Sequence, residues 1–344
     1  MKPRVLEYLR CLDCRAPLRL EARTIEQVVR DAVEKLSPCS GLCPFPDLAS
    51  QERDCAACAG LEVMTGDLTC LACGRQYGIS DGIPRFVASN FSPCSSPTTR
   101  TARSFGFLWD RSKPARETPP RPYHFEKMAA ALSLPVFRGV VLDAGCGEGI
   151  DLANLAREEH AEVVGVELSE GGCRTSFRRI ARLAGAHVVQ ADLCRLPFAD
   201  MTFDAVYSYG VLHHIATPAL AAGEAARISR HGACVAVYLY EDFGERSAVW
   251  RWLLRSVNSA RVVTTKLPPR ALFAVCWAAS PLVYVLCAVP FTVLKRFRPL
   301  RSFAWSLPFR HARGPFRLAG DLYDRFSAPI EYRYSRGGAA DLLR

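Results

Sequence analysis

Short apolar runs alternate with helical segments through the middle of this chain. The apolar runs cover residues 140–142, 162–166, 187–190, 203–207 and 232–240. The segments with helical character cover residues 123–134, 150–159, 169–184 and 218–229. Apolar runs of this length, separated by helices, are typical of parallel strands that are buried on both faces. The pattern therefore predicts an α/β fold with a doubly wound parallel sheet.

The turn after the first predicted strand is rich in glycine. Asp143 ends the strand, and Gly145, Gly147 and Gly149 lead into the next helix. Glycine lets a ligand approach bare backbone, and open α/β sheets bind their ligands at the carboxyl ends of the strands. A dinucleotide fingerprint would need its third glycine at Ile150, and an acidic residue before the turn would repel a pyrophosphate. A ligand with a positive centre and an amino group suits this turn better, and S-adenosylmethionine has both.

Residues 140–149 resemble the first motif of the class I S-adenosylmethionine-dependent methyltransferases, Val-Leu-Asp-x-Gly-Cys-Gly-x-Gly. The resemblance implies a Rossmann-like sheet with the strand order 3-2-1-4-5, in which Asp143 and the glycine turn hold the methionine part. Glu167 closes the second strand, where a carboxylate can accept hydrogen bonds from both ribose hydroxyls. Asp192 follows the third strand, where the family has an acidic residue that binds the adenine amino group. The full set of expected cofactor-binding residues is Asp143, Ala144, Gly145, Cys146, Gly147, Glu167, Leu168, Asp192, Leu193 and Tyr209.

The loop after the fourth strand, residues 208–214, bears on the class of methyl acceptor. Methyltransferases that act on amines of nucleic acids and proteins often have an Asn/Asp-Pro-Pro-Tyr loop here, whereas this loop resembles the small-molecule branch with its Leu-His-His sequence. His213 or His214 is a candidate general base, because imidazole titrates near neutral pH, although a structural role is the simpler interpretation. Three residues at the end of the fifth strand are alternative acceptor contacts: Tyr240, Glu241 and Asp242.

Two Cys-x-x-Cys pairs predict a metal site in the first quarter of the chain. They are Cys11 with Cys14, and Cys70 with Cys73. Four thiolates suit a tetrahedral structural zinc and leave no open position for a substrate. Residues 70–84 resemble the zinc-ribbon domain of methyltransferase activator subunits, which implies a small N-terminal zinc ribbon and a protein partner as one of its roles. Four reduced thiols without a metal are the alternative.

A second set of cysteines lies between the two pairs. It comprises Cys39, Cys43, Cys55 and Cys58. The set departs from the short family pattern, and it is either a second zinc site within an insertion or a competitor for the first metal. The first residues of the chain lack the apolar core of a signal peptide, so we interpret the close cysteine pairs as metal ligands in a reducing, cytoplasmic compartment.

Residues 88–122 are rich in Ser, Thr, Pro and Arg, which predicts an irregular connector with little helix or strand. The connector contains Phe105, Phe107 and Trp109, in a stretch that resembles a Phe-Gly-x-x-Trp motif of related methyltransferases with the same N-terminal module. Three aromatic side chains in five residues predict either a hydrophobic anchor onto the catalytic domain or a wall of the substrate pocket.

The segment 246–320 has 13 basic residues and no acidic residue. These 13 positive charges exceed the net charge of +10 of the whole chain, so the basic character of the chain lies in this segment. Residues 271–294 are uncharged and long enough to cross a bilayer as a helix, but Pro281 and Pro290 would break or kink that helix. Three interpretations stay open: a helical cap over the substrate, a surface element on anionic lipid, and a transmembrane span. Nucleic acid is a less suitable partner, because the basic residues alternate with a long apolar run.

Residues 323–334 resemble a late motif of related enzymes, after which those enzymes add two more strands. The chain ends at Arg344, so we expect strands six and seven to be missing and strand five to have an uncovered edge. We expect five segments: a zinc-ribbon-like module (1–87), a linker (88–122), the cofactor-binding domain (123–245), a basic apolar helical insertion (246–320) and a C-terminal segment (321–344).

Together these patterns predict an S-adenosylmethionine-dependent methyltransferase with structural zinc. The expected acceptor is a small or lipid-like metabolite, and the expected location is the cytoplasm, with the inner face of an anionic membrane as an alternative. The alternative from another class is a non-catalytic protein that binds the cofactor, or stabilises a partner through its zinc ribbon.

Overall fold

The computed structural model describes residues 1–31, 58–87, 97–111, 124, 128, 130, 137–157, 161–309 and 314–344. The chain forms two compact units, which are Met1–Asp242 together with Ile330–Arg344, and Phe243–Pro329. We call these the first unit and the second unit.

The first unit begins with an antiparallel sheet of four strands. A 3₁₀ helix, Pro3–Glu7, precedes the strands β1 (Leu18–Gln27), β2 (Leu61–Cys70), β3 (Gln76–Ser80) and β4 (Ile83–Pro84). Strand β3 alternates exposed and buried residues, as expected for a strand with one face on the core. This small sheet with its cysteine pairs confirms the predicted N-terminal ribbon.

A parallel sheet of five strands follows. Its strands are β5 (Gly139–Ala144), β6 (Ala161–Glu167), β7 (Ala186–Gln190), β8 (Phe203–Tyr209) and β9 (Ser229–Tyr238). Their order is β7-β6-β5-β8-β9, which confirms the predicted order 3-2-1-4-5 and the doubly wound fold. Every residue of β7 is buried, in agreement with a continuous apolar run that is covered on both faces.

The helices of the first unit up to β9 are α1 (Pro97–Arg111), α2 (Ile150–Leu155), α3 (Glu170–Arg179) and α4 (Pro218–Ile228), with a 3₁₀ turn at Leu212–His214. The interpretation of 88–122 as an irregular connector is wrong for Pro97–Arg111. Ser and Thr weaken a helix through local hydrogen bonds, but here tertiary packing outweighs that preference. The predicted helix 123–134 and the remaining connector lie mostly outside the described residues.

The two sheets of the first unit share one hydrophobic core. Leu9 and Leu68 of the N-terminal module are fully buried in the same cluster as Val164 and Phe203 of the parallel sheet. Backbone pairing reinforces this contact, because the N–H of Phe86 donates to the carbonyl of Gln190 over 2.8 Å. The outer edge of β7 is therefore covered by the N-terminal module of the same chain.

The second unit is helical, as predicted for the insertion after strand five. It comprises α5 (Ala248–Thr264), α6 (Pro269–Val283), α7 (Val289–Leu294), α8 (Arg301–Ser306) and α9 (Leu318–Ser327), with 3₁₀ turns at Arg298–Leu300 and Pro315–Arg317. A π-helical turn, Tyr284–Ala288, joins α6 to α7. Among the described residues, Pro269–Leu294 is the one helix that is long and apolar enough to cross a membrane.

The two prolines do not end this helix, contrary to the expected break. Pro281 lacks the N–H that would bond to the carbonyl of Trp277, and the hydroxyl of Ser280 donates to that carbonyl instead, over 2.8 Å. The π-helical turn that follows Pro281 absorbs the remaining change in backbone geometry.

After the second unit, the chain returns to the first unit and ends in α10 (Arg336–Leu342). The N–H of Tyr332 donates to the carbonyl of His213 over 2.8 Å, and the N–H of Tyr334 donates to the carbonyl of Tyr240 over 2.9 Å. Among the described residues, β9 has β8 as its only strand neighbour, in agreement with the expected absence of strands six and seven.

Candidate active site and zinc site

A pocket lies at the carboxyl ends of β5, β6 and β8, where a doubly wound sheet binds its ligands. It is lined by residues from the glycine turn, from the ends of β6 and β8, from the loops after β7 and β8, and from one face of α1. The main lining residues are Thr98, Thr101, Ala102, Phe105, Trp109, Gly145, Gly147, Glu167, Leu168, Asp192, Leu193, Tyr209 and His214. The pocket is therefore built entirely from the first unit.

The glycine turn presents bare backbone to this pocket. Gly145 has φ of +89°, and a Cβ there would lie 2.4 Å from a methyl carbon of Val211. Gly147 has φ of +52°, and a Cβ there would lie 3.2 Å from the indole ring of Trp109. Both positions need the left-handed conformation and the small volume of glycine. The turn is fixed to the sheet because the N–H groups of Gly145 and Cys146 both donate to the carbonyl of Val166.

Glu167 is held with its carboxylate against the turn. Oε1 accepts a hydrogen bond from the N–H of Ser169 over 2.7 Å, and Oε2 accepts one from the N–H of Gly147 over 3.1 Å. A carboxylate has about four lone-pair positions, so acceptor capacity remains for ligand hydroxyls. Burial raises the pKa of Glu167, and these backbone hydrogen bonds oppose the rise.

Asp192 also lines the pocket and lies in the loop after β7. Its Oδ1 accepts a hydrogen bond from the N–H of Cys194 over 2.9 Å, which orients the side chain. Leu168 and Leu193 lie beside the two acidic residues and line the same pocket. A pocket with apolar lining residues and two acidic residues is suited to a nucleoside.

The four cysteines of the N-terminal pairs come together on the first unit. The Sγ atoms of Cys11, Cys14, Cys70 and Cys73 all lie within 4.8 Å of one another. The distance between sulfurs is 3.4 Å for Cys14 and Cys70, and 3.6 Å for Cys11 and Cys73. A tetrahedron with Zn–S bonds of about 2.3 Å places its sulfurs about 3.8 Å apart, whereas a disulfide would need about 2.05 Å. The residues therefore fit a tetrahedral zinc ion.

Two family models match the chain. Residues 142–237 match the family described as a methyltransferase domain, and residues 2–82 match the family described as Trm112p-like protein.

The chain is a methyltransferase-domain protein with a Trm112p-like N-terminal domain.

Curated relatives of this methyltransferase-domain protein match part of the chain. Cycloartenol-C-24-methyltransferase 1 of Oryza sativa subsp. japonica is 36% identical over 139 residues, which are 39% of this chain and 39% of the relative. An uncharacterised chloroplastic methyltransferase of Arabidopsis thaliana is 28% identical over 193 residues, which are 52% of this chain and 53% of the relative. The chain thus spans about two fifths to half of the length of these relatives.

A solved structure is similar over part of the chain. It is the complex between the Trm112 methyltransferase activator of Haloferax volcanii and a methyltransferase, with 24% identity and a TM-score of 0.36, and it covers 44% of this chain and 66% of that chain. Together, the family matches and the cysteine cluster confirm the predicted resemblance, with S-adenosylmethionine and structural zinc as the cofactors.

The structure brings most of the expected cofactor-binding residues of the methyltransferase domain to one pocket. These are Gly145, Gly147, Glu167, Leu168, Asp192, Leu193 and Tyr209. The other three do not line it: Asp143, Ala144 and Cys146. Asp143 is buried beneath the turn, and its Oδ2 has no hydrogen-bond partner among the described residues. Burial, followed by the nearby charges of Asp151 and Glu167, raises the pKa of Asp143 well above its ordinary value.

The two histidines have different positions. His213 is fully buried, lies outside the pocket and packs on Tyr240 with 3.8 Å between ring centroids, so it is not placed to act as a base. His214 lines the pocket, and its Nδ1 lies 2.6 Å from the carbonyl of Ile330. A carbonyl only accepts, which assigns the proton to Nδ1 and leaves Nε2 as the basic nitrogen. Three proposed acceptor contacts are not part of the pocket lining: Tyr240, Glu241 and Asp242.

Helix α1 supplies one wall of the pocket, which was one of the two roles predicted for the aromatic stretch, although Thr98, Thr101 and Ala102 were not predicted. Its lining residues are Thr98, Thr101, Ala102, Phe105 and Trp109. Their spacing of three and four residues is that of one helix face, and this period was the available signal. The aromatic stretch thus forms a wall of the pocket, and Phe107 does not line it.

Most of the second set of cysteines lies outside the described residues. Cys39, Cys43 and Cys55 lie outside the described residues, and Cys58 is buried. A second zinc site remains a prediction.

Proposed function

We propose that this protein is an S-adenosylmethionine-dependent methyltransferase that acts on a small or lipid-like metabolite. The proposal rests on one observation: the bare glycine turn, Glu167 and Asp192 all line the same pocket. When bound, S-adenosylmethionine supplies an electrophilic methyl group on a sulfonium centre. Glu167 would hold the ribose hydroxyls, Asp192 the adenine amino group, and the glycine turn the methionine part.

Trp109 and Phe105 close the pocket from the side of α1. The two rings are stacked with 6.2 Å between centroids, and Phe105 also contacts the ring of His214 at 5.1 Å. Aromatic side chains at this position exclude water from the reacting groups, and their faces attract a cationic centre. His214 would accept the proton of the methyl acceptor at Nε2, since its Nδ1 is engaged with Ile330.

The lining of the pocket supports an apolar acceptor. Phe105, Trp109, Tyr209 and Ile215 contribute most of the side-chain bulk near His214. The loop after β8 lacks the Asn/Asp-Pro-Pro-Tyr sequence of enzymes that methylate nucleic-acid and protein amines. The rice relative is named as a methyltransferase of a sterol carbon, which is the same kind of apolar acceptor.

The alternative is a non-catalytic role in which the Trm112p-like domain docks a partner protein. The presence of this domain favours partner binding, but its residues Leu9 and Leu68 already share a core with the parallel sheet of the same chain, and Arg4 bonds to Glu162 on β6. We therefore propose that the domain stabilises its own methyltransferase domain in cis.

Binding and turnover experiments test these proposals. Calorimetry of the full chain with S-adenosylmethionine should show one site, and labelled methyl groups should transfer to acceptors in a neutral-lipid and small-metabolite panel. Absence of binding would refute the cofactor site. Binding without transfer to any acceptor would favour the non-catalytic alternative.

We also propose that the enzyme works in the cytoplasm at the surface of an anionic membrane. The segment 246–320 combines 13 basic residues with a long apolar run and has no acidic residue. Apolar bulk next to dense positive charge suits an anionic lipid surface. The interpretation of this segment as a substrate cap remains an alternative.

A further inference from the structure

We infer that helix Pro269–Leu294 lies in the plane of one membrane leaflet rather than across the bilayer. The inference rests on the membrane association proposed above and adds the geometry of insertion. It follows from three features of the second unit, which are the exposed face of this helix, the helices behind it, and the charges at its ends.

One face of the helix is apolar and exposed. Only 22% of its most apolar 18-residue window is buried. The exposed large side chains on this face are Val275, Leu282, Val285, Leu286, Val289 and Val293. Monomeric soluble proteins rarely expose apolar patches of this extent, and such patches usually mark a protein or membrane contact.

The opposite face is covered by two helices that carry charge. Its first half buries Leu272, Cys276 and Ser280, and Phe273 contacts the ring of Tyr323 on α9. Its second half buries Phe291, whose ring contacts Trp305 on α8 at 5.3 Å. Helix α9, which covers the first half, carries the exposed Asp321, and α8, which covers the second half, carries the exposed Arg301.

This covering distinguishes the two insertion geometries. A helix that spans the bilayer would carry α8 and α9 into the hydrocarbon, with Asp321 and Arg301 exposed to lipid, and charges at that depth are strongly unfavourable. A helix that lies in the interface immerses only the exposed apolar face and leaves α8 and α9 on the water side.

Both ends of the helix are basic. Lys266 precedes it, Arg270 lies in its first turn, Lys295, Arg296 and Arg298 follow it, and all of them are exposed. A spanning helix has its ends on opposite sides of the membrane, and its flanking charges usually differ between the sides. An in-plane helix has both ends at the same layer of anionic headgroups, which explains the symmetric charge. This complementarity favours an anionic lipid surface over an apolar protein partner.

The two lysines allow a direct test of topology. The full chain is expressed in a bacterial host, sealed inside-out and right-side-out membrane vesicles are prepared, and an impermeant amine reagent is applied before peptide mass spectrometry. We expect Lys266 and Lys295 both to react in inside-out vesicles and neither to react in right-side-out vesicles. Reaction of one lysine in each preparation would show a spanning helix and overturn the inference.

Flotation with purified protein tests the surface itself. We expect binding to vesicles of phosphatidylcholine with phosphatidylglycerol, weaker binding to phosphatidylcholine alone, and a loss of about tenfold in partitioning for Leu286→Asp. Leu220→Asp is the matched control, since Leu220 is a similarly exposed leucine on α4 of the first unit. Equal effects of the two substitutions, or no flotation, would overturn the inference. Calorimetry with S-adenosylmethionine on the same preparations reports the cofactor site separately.

Discussion

The carboxylate of Glu167 accepts a hydrogen bond from the backbone N–H of Gly147, with 3.1 Å between Oε2 and N. The bond joins the end of β6 to the glycine turn that follows β5, the neighbouring strand. The other carboxylate oxygen of Glu167, Oε1, accepts a hydrogen bond from the N–H of Ser169. Ser169 is also the residue whose hydroxyl caps the N-terminus of α3. One side chain thus fixes the relative positions of the turn, the strand end and the first turn of a helix around the pocket.

Glu167→Gln should weaken binding of S-adenosylmethionine by about tenfold to a hundredfold. The amide keeps the shape of the side chain but loses the charge, and a hydrogen bond to a charged group contributes about 1.5–3 kcal/mol. Calorimetry measures the change. Glu170→Gln is the matched control, because Glu170 is exposed and pairs with Arg174 on the surface of α3. A similar loss of affinity in both variants would contradict the assignment.

Gly147→Ala should displace Trp109 and weaken cofactor binding by about tenfold, since the new Cβ lies 3.2 Å from the indole and the residue has a positive φ. Affinity and tryptophan fluorescence report the two effects. Gly232→Ala is the control for backbone strain, because Gly232 lies outside the pocket lining, has φ of +80°, and a Cβ added there would meet no atom within 4 Å. Unchanged fluorescence in Gly147→Ala would show that the indole of Trp109 does not pack against the glycine turn.

The buried Asp143 should make the stability of the ligand-free protein depend on pH. Its pKa in the folded protein is raised well above the ordinary value, mainly by burial. The folded state therefore binds this proton more tightly than the unfolded state does. The corresponding stability is complete below about pH 3.9 and is lost as the pH rises through the raised pKa.

Asp143→Asn isolates this contribution, because the amide cannot ionise. We expect the variant to gain stability relative to the wild type as the pH rises, measured by chemical unfolding at a series of pH values. The same variant should bind the cationic cofactor more weakly at high pH, where the carboxylate is ionised. A difference in stability that stays constant with pH would argue against a titrating Asp143.

Removal of zinc should destabilise the whole first unit. The cysteine cluster closes the N-terminal sheet, and Leu9 and Leu68 of that sheet share a core with the parallel sheet. Chelation or Cys73→Ser should lower the unfolding midpoint of the methyltransferase domain, whereas Cys194→Ser, outside the cluster, should not. Metal analysis also counts the sites. One zinc per chain would exclude a second occupied site at Cys39, Cys43, Cys55 and Cys58.

The sheet and the zinc site were predictable because local patterns determine them. The apolar runs and the glycine turn specify the strands, and the Cys-x-x-Cys spacing specifies the ligands. A pocket wall was one of the two roles predicted for the aromatic stretch, but the helix α1 that forms this wall was not predicted, because Thr98 and Thr101 are polar and the segment is rich in turn-forming residues. The burial of Asp143 beneath the turn is a tertiary property, since the motif gives the residue type but not the direction of its side chain.

The last prediction concerns the contact between the Trm112p-like domain and the sheet. Nε of Arg4 lies 2.6 Å from Oε1 of Glu162 on β6, and Nε2 of His187 on β7 lies 2.9 Å from the same oxygen. Burial alone would raise the pKa of Glu162, but the hydrogen bonds from His187 and Arg4 outweigh it and lower the pKa to about 2. The stability from this depressed pKa is present above about pH 4.3 and is lost as the pH falls towards 2.

Arg4→Met should therefore cost about 3 kcal/mol at neutral pH, because it leaves a buried carboxylate without its permanently charged partner. Arg19→Met is the matched control, since Arg19 pairs with Glu21 on an exposed face of β1 and should change stability by less than about 0.5 kcal/mol. Chemical unfolding of both variants measures the difference. The double variant Arg4→Met with Glu162→Gln should recover much of the loss, because the uncompensated charge is then removed. If Arg4→Met and Arg19→Met were equally mild, the domain would be held in place by its apolar core alone.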